Sequence, residues 1–391
     1  MAHNRHVCRW AALSLSSIAE VFLSDIQLSN DKEHGIRHEL VAVSTTKSSE
    51  AAREWLDKNE IGNARSVEVW EDWQQMLQRA DFDVVYISTP HALHYQHARK
   101  ALELKRHVLV EKPATMNAAQ YASLAALAKA QGVVLMEAMW TRYLPATRHL
   151  QEKLLPLVGE VRRVYADFSF PIVSHDLSQD SRFLDKAAGA GSLLDQGVYA
   201  LTWADVALNV GDNACQSTKV VYANSMSVPG VPGSVDDIDT IVLAKQTGGT
   251  AAQEGVGIVT TSMTLPGSSK PAFYQRLQAT KSAPSVRIEA TKASIAIPFP
   301  PIRPQELYVQ WYDDEHLDKD GRETEELIKK PVERGWGMWY QADVIAVTIA
   351  SRKDGAKGEV VGEKESMRVL QWMDEARGQA GISYTTDLDR L

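Results

Sequence analysis

Three short segments of the chain place reactive side chains at spacings that can do chemistry. The first is Ser88-Thr89-Pro90-His91-Ala92-Leu93-His94, followed by His107-Val108-Leu109-Val110-Glu111-Lys112-Pro113. Lys112 directly follows an apolar run, which puts its ammonium at the carboxyl end of a strand, where open α/β sheets bind ligands. A lone lysine at such a position is ordinarily solvated. The second segment holds Asp195 and Tyr199, four residues apart. That spacing sets both on one helix face, an arrangement that is often just a buried hydrogen-bonded pair. The third is Trp140-Thr141-Arg142, whose guanidinium fork could hold a substrate oxygen. His91, His94 and His97 recur one helical turn apart. The spacing alone permits a metal, but ordinary helix-terminal histidines share it, and no metal is expected. His3, His6 and Cys8 lie near the terminus and carry no reading.

The elements that must hold these residues follow from periodicity. Short apolar runs at Val7–Leu13, Glu39–Ser44, Ser66–Val69, Asp83–Ser88, His107–Val110 and Val133–Met136 read as strands. Helical patterns at Ser17–Leu28, from Ser48 or Ser49 to Asn59, at His94–Leu104 and from Asn117 to Ala130 separate them. Near-continuous apolar strands alternating with helices predict a parallel sheet covered on both faces, with doubly wound, Rossmann-type architecture. Beyond about residue 145 the texture changes. Helices are expected at Thr147–Leu157 and Ser192–Leu208, and strands at Glu160–Phe170, Asp239–Ala244, Val256–Ser262 and Ser285–Ala290. Pro298–Pro304 reads as a loop and 313–326 as a solvated loop leading into a helix. Residues 336–352 and 362–377 return to helical period. The expected organisation is α/β: a Rossmann-type domain over 1–140, then an α+β domain over 141–391 with a large, mostly antiparallel open sheet. The last helices are expected to pack back on the first domain.

Composition narrows the functional classes. The chain has 391 residues, 44% hydrophobic and 24% charged, with a net charge of −8. This is enough apolar material for two cores, and it excludes collagen, disulfide-stapled and largely disordered chains. No basic stripe suggests nucleic acid, and no run of about 18 uncharged apolar residues suggests a membrane span. The stretch from Arg5 to Ala19 faintly imitates a secretory signal, yet it reads better as a first strand entering a first helix. Two distant cysteines, Cys8 and Cys215, fit a reduced, cytoplasmic compartment. Trp10, Trp140, Trp203, Trp336 and Trp339 are expected in the core or lining a pocket.

The ordered set Ser-Thr-Pro-His at 88–91, Glu-Lys-Pro at 111–113, Met136-Glu-Ala-Met-Trp-Thr-Arg142, Gly191-Ser-Leu-Leu-Asp-Gln-Gly-Val-Tyr199, Ala290-Thr-Lys292 and Gly337-Met-Trp-Tyr340 resembles the Gfo/Idh/MocA oxidoreductase family. The match is to the branch holding dimeric dihydrodiol dehydrogenases and NADP-dependent D-xylose dehydrogenases. It runs essentially the whole chain. The resemblance implies a dinucleotide domain, a small-molecule substrate and a homodimer formed through the open sheet. It implies that Lys112 contacts substrate and the nicotinamide ribose, and that Tyr199 gives or takes the proton, with Asp195 beside it. A nearby ammonium would favour the phenolate. It also places Arg142, His94 and Trp140 toward the substrate. Ser14, Ser16, Ala19, Ser44, Thr46, Lys47, Thr89, Pro90, His91, Glu111 and Lys112 would line the cofactor if one is kept.

Two cofactor determinants depart from the family pattern. Ser14 and Ser16 stand where Gly-x-Gly-x-x-Ala has glycines, while Ala19 fits the last small position. The first glycine serves a tight turn and the second a close approach to pyrophosphate, so side chains there are expected to weaken the nucleotide. After the second strand comes Ser44-Thr45-Thr46-Lys47 rather than Ser-Arg, and a lysine is only a point charge for a 2′-phosphate. The resulting expectation is a repurposed enzyme with no cofactor, or a weakly bound NADP. It would run an isomerisation, dehydration or cyclisation on a small organic substrate of rather apolar character. The alternative is an NADP-dependent dehydrogenase of a sugar, polyol or cyclic diol, with Tyr199 as acid/base. A third reading is a non-catalytic binding protein.

Overall fold

A computed structural model describes residues 6–28, 35–62, 65–173, 177–178, 181–209, 216–230, 235–247, 253–269, 284–353, 360 and 362–384. His3, Arg5 and Cys215 lie outside these residues. The chain divides into two compact units, Met1–Trp140 with Val332–Met367, and Thr141–Pro331 with Arg368–Leu388.

The first unit is built on six parallel strands: β1 (His6–Leu13), β2 (Ile36–Ser44), β3 (Glu68–Trp70), β4 (Val84–Ile87), β5 (His107–Glu111) and β6 (Leu135–Ala138), in the order β3-β2-β1-β4-β5-β6. This is the doubly wound order in which the crossovers change direction beside β1, opening a ligand crevice at the strands' carboxyl ends. The central strands are apolar throughout because both faces are covered; every residue of β4 is buried.

Helices α1 (Ser17–Ile26), α2 (Ser49–Lys58), α3 (Trp73–Arg79), α4 (His91–Glu103) and α5 (Ala118–Gln131) connect the strands. In α1 the residues Ala19, Phe22, Leu23 and Ile26 fall on one buried stripe. Phe22 stacks on Tyr86 at 4.0 Å and meets Trp10 edge-on at 5.2 Å. Ser48, rather than Ser49, caps α2, and Asn117 caps α5. Helix α3 was not expected; Asp72 caps it through the amides of Gln74 and Gln75. Helix α4 begins at His91, a turn earlier than its periodicity suggested. The segment 332–367 joins this unit through Asp25, which accepts from the Trp336 and Met338 amides, and through the His38–Asp343 pair.

The second unit carries α6 (Pro145–His149), which runs into a π-helical turn at Leu150–Leu154. It also holds eight strands: β7 (Val161–Ser169), β8 (Gln216–Ser227), β9 (Asp236–Thr247), β10 (Gln253–Ser262), β11 (Val286–Ala290), β12 (Ala293–Ile297), β13 (Glu306–Trp311) and β14 (Thr324–Lys329). Their order is β14-β13-β12-β11-β7-β10-β9-β8, antiparallel throughout except where β7 and β10 run parallel. Helix α7 (Val198–Leu208), buried at every position, packs on β7 and β10. The opposite face is open. A cross-strand row Leu327, Tyr308, Ala296, Arg287, Tyr165, Ile258, Val242 and Tyr222 runs over all eight strands, and every member is half-buried or exposed.

Thr324–Lys329 corrects the expected helix start: it is an edge strand, paired with β13. Helices α8 (Trp339–Lys353) and α9 (Glu363–Ala380) are the last helices among the described residues, with the division between units falling in α9 after Met367. No helix among the described residues is long and apolar enough to cross a membrane.

Candidate functional site

The turn between β1 and α1 is the position where the sequence departs from the fingerprint, and its geometry is intact. Ser14 adopts φ 85°, the left-handed conformation that a glycine normally supplies. Its amide donates to Ser44 O at 2.9 Å. Ser16 is the N-cap of α1: its Oγ accepts from the Ala19 amide at 3.2 Å and donates to Ser88 Oγ at 3.1 Å. The hydroxyl is thus directed inward, into the turn and β4. The amides of Ser17 and Ile18 have no hydrogen-bond partner among the described residues and stay open at the positive end of α1. Beyond β2, Ser44 is buried, while Thr46 and Lys47 are exposed. Lys47 makes no ion pair among the described residues, and its amide donates to Thr45 Oγ1 at 3.1 Å.

Lys112 sits at the end of β5 on a turn held from three sides. Its peptide to Pro113 is cis. The Lys112 amide donates to Glu111 Oε2 at 3.2 Å, and the Ala114 amide donates to Glu137 Oε1 at 2.9 Å. The other oxygens of the two carboxylates are also engaged: Tyr86 donates to Glu111 Oε1 at 2.7 Å, and Ser366 donates to Glu137 Oε2. Burial pushes the Glu111 carboxyl up to about 7, against the opposing pull of the Tyr86 hydrogen bond and the Lys112 charge.

His94 closes the third side, with Nδ1 at 2.9 Å from Pro113 O and Nε2 at 2.8 Å from Thr89 O. Only an imidazolium could donate to both, yet burial first, and then the neighbouring His91, hold its pKa down at about 3. Desolvation governs a fully enclosed ring, so His94 is neutral and one of the two contacts carries no proton. His97 faces Thr89 Oγ1 at 3.1 Å. Within this spacing His94 serves the backbone and His97 serves Thr89. Pro90 is exposed, and Thr89 and His91 are half-buried, at the head of α4.

In the second unit, Asp195 and Tyr199 do not lie on one regular helix. Leu193–Gly197 forms a π-helical turn that leads into α7, so Asp195 is on the turn and half-buried, while Tyr199 is in the first turn of α7 and 6% exposed. Phe168 of β7 meets the Tyr199 ring edge-on at 5.5 Å. Phe299 lies 6.3 Å from Phe168 and 6.2 Å from Phe170, which is 44% exposed. The Pro298–Pro304 loop that carries Phe299 is tied to α7 by Trp203 Nε1, which donates to Pro301 O at 3.0 Å.

Arg142 is 6% exposed, and its Nη2 donates to Asp205 Oδ2 at 2.9 Å. Arg368 also pairs with Asp205. One end of the Arg142 guanidinium is thus held by a buried carboxylate of α7, while its buried Nε has no hydrogen-bond partner among the described residues. Trp140, in the first unit, is 3% exposed.

Sequence reasoning missed Glu137, Tyr86, Ser366, Phe168 and Phe299. Glu137 did leave a signal, as a carboxylate closing the apolar run Val133–Met136.

Comparisons with known proteins bear on what this arrangement does. Residues 15–139 match the family model described as an oxidoreductase family with an NAD-binding Rossmann fold. D-xylose 1-dehydrogenase (NADP(+)) of Hypocrea jecorina is 29% identical over 98% of this chain and 96% of its own length. Trans-1,2-dihydrobenzene-1,2-diol dehydrogenase of Bos taurus is 26% identical over 97% of this chain and 98% of its own. Among solved structures, levoglucosan dehydrogenase in complex with NADH and levoglucosan superposes with a TM-score of 0.74 at 16% identity, covering 96% of this chain and 98% of that one.

These findings overturn the expectation of a redox-neutral, nucleotide-free enzyme. That expectation rested on the loss of two glycines and on Ser44-Thr45-Thr46-Lys47 in place of Ser-Arg after the second strand. The turn keeps its shape because Ser14 takes the glycine conformation, Ser16 turns its hydroxyl inward, and the full-length relatives are named as dehydrogenases. Residues 15–139 thus match the Gfo/Idh/MocA oxidoreductase family, and the chain is similar along nearly its whole length to the dehydrogenases named above.

Proposed function

We propose that the protein is an NADP-dependent dehydrogenase of a sugar, polyol or cyclic diol. The observation that carries this reading is Ser14 at φ 85°. A non-glycine residue held in the left-handed region persists only where the surrounding turn demands it. Here the demand is the strand-to-helix turn that leaves the Ser17 and Ile18 amides open for a pyrophosphate. Lys47 supplies a cation where a 2′-phosphate would be sought, and no carboxylate occurs in Ser44–Lys47 to take free ribose hydroxyls. Both points favour NADP over NAD.

A bound nicotinamide would accept or supply the hydride. The chain's own residues do the rest. The Glu111–Glu137 clamp fixes the backbone under Lys112, whose ammonium holds the ribose and a substrate oxygen. Tyr199 exchanges the proton of the reacting hydroxyl, with Asp195 on the preceding turn. The aromatic face of Phe168, Phe299 and Phe170 gives the apolar side of a ring substrate a surface to lie on. The names of the relatives point the same way.

Steady-state oxidation of D-xylose, scyllo-inositol and trans-1,2-dihydrobenzene-1,2-diol with NADP+ tests this reading. Turnover of at least one is expected, and its absence for all three would contradict it.

We propose further that a second copy covers the open sheet face, as the family resemblance suggests. Support comes from Val221, Tyr222, Met226 and Leu327, which leave that face 57%, 52%, 59% and 44% exposed at those positions, an apolar surface of the kind that marks association sites. Sedimentation velocity should give a two-chain mass, and a one-chain mass at micromolar concentration would refute it.

A further inference from the structure

The turn that carries Asp195 and leads to Tyr199 begins without a cap of its own. Ser192, at its start, has αR backbone and makes no side-chain capping bond, although the first amides of a helix have no partner within it. The Leu193 amide finds its partner in the sheet: Asp236 Oδ2, at the first residue of β9, at 2.7 Å. The chain is shaped around that carboxylate. Gly191 has φ 139°, and a Cβ there would overlap Asp236 Oδ1.

A second tie runs in parallel. The Ser192 hydroxyl meets the Thr261 hydroxyl, which donates to Asp239 Oδ2 at 3.2 Å. Tyr384 closes the third side by donating to Ala190 O at 3.1 Å. Burial raises the pKa of both Asp236 and Asp239, and the charge of Asp236 raises Asp239 further. The charge of Lys186 pulls the Asp236 pKa the other way.

We propose that Asp236 is a positioning residue for the reaction: it caps the Asp195–Tyr199 turn in trans from the sheet and so sets where the Tyr199 phenol stands against Phe168. The proposal rests on the reading of Tyr199 as acid/base. It follows from the geometry because neither Asp236 nor Thr261 belongs to the helix it restrains. A displacement of about 1 Å at a proton-transfer group lowers turnover by up to about a hundredfold.

The test uses the full chain, NADP+ and whichever of the three trial alcohols the wild type oxidises fastest. Asp236→Ala is expected to lower kcat by roughly 10- to 100-fold while leaving the Kd for NADPH unchanged. Asp236→Asn keeps an acceptor oxygen for the Leu193 amide and should recover most of the loss. Thr261→Val cuts the second tie with little change of shape and should lower kcat several-fold. An Asp236→Ala enzyme with wild-type kcat overturns the proposal, as does one in which Asn and Ala are equally impaired. If Asp236→Ala does not fold, Thr261→Val decides: an unchanged kcat overturns it. These results are read beside Tyr199→Phe. A wild type inactive on all three alcohols, or a fully active Tyr199→Phe, overturns the dehydrogenase reading and this proposal with it. A dead Tyr199→Phe beside an unaffected Asp236→Ala overturns this proposal alone.

Discussion

Tyr86 donates its phenol hydrogen to Glu111 Oε1 across 2.7 Å, at a carboxylate that is only 5% exposed. The bond favours the ionised carboxylate, but burial outweighs it and pushes the pKa up to about 7. In the unfolded chain the same group titrates in the usual glutamate range, so between about pH 4.5 and 7 the folded state binds the extra proton. Stability from this group is therefore greatest at low pH and falls as pH rises through that window. Glu111→Gln, neutral throughout, should flatten the dependence. Between pH 5 and pH 8 its unfolding free energy should fall by roughly 2 kcal/mol less than the wild type's, as read by urea denaturation at both pH values. Equal falls would contradict the burial of a proton-holding Glu111.

Ser14 occupies a backbone region that disfavours any residue with a Cβ. Ser14→Gly should stabilise the protein by about 1 kcal/mol, visible as a rise of a few degrees in Tm, and should leave NADPH affinity equal or tighter. A lower Tm would mean that the serine side chain itself holds the turn.

Arg142 should behave as a structural residue. Removing it leaves Asp205 buried with Arg368 and Asn209 as its remaining partners. Arg142→Met is expected to destabilise by about 3 kcal/mol, while KM for the substrate alcohol stays within about twofold in the protein that folds. A large rise in KM with unchanged Tm would return Arg142 to the substrate.

Lys112→Met and Tyr199→Phe should separate. Loss of a proton-transfer group lowers kcat by roughly 10²–10⁴-fold, so Tyr199→Phe should lose turnover with the NADPH Kd unchanged. Lys112→Met should lose turnover and also weaken NADPH. Stopped-flow hydride transfer with coenzyme titrations checks both. Wild-type hydride transfer in either variant would remove that residue from the site.

The Rossmann-type sheet was legible because its strands are apolar on both faces and its helices carry clear caps. Ser48, Asn117 and the Ala19-Phe22-Leu23-Ile26 stripe are examples. Helix α3 was not legible: Trp73–Arg79 is short and mostly polar. The π turn at Leu193–Gly197 was hidden because the following helix is buried on every side, so an extra residue in the hydrogen-bond ladder displaces no visible apolar stripe. Asp236 was beyond reach for another reason: it acts on a backbone amide far away in sequence, and no local pattern records the partner; Glu137, a carboxylate closing an apolar run, left a signal but not the identity of its partner. The error over the cofactor came from reading residue type as conformation. The penalty for serine at positive φ is only about 1 kcal/mol, which the Ser44 and Ser88 contacts of the turn can offset.

The dehydrogenase reading requires that the serine-lined turn still bind the nucleotide. Titrating the purified chain with NADPH, by calorimetry or by the coenzyme's fluorescence, tests it without knowledge of the substrate. Saturable one-to-one binding with a micromolar Kd is expected, with weaker binding of NADH. No binding of either nucleotide at millimolar concentration would contradict it.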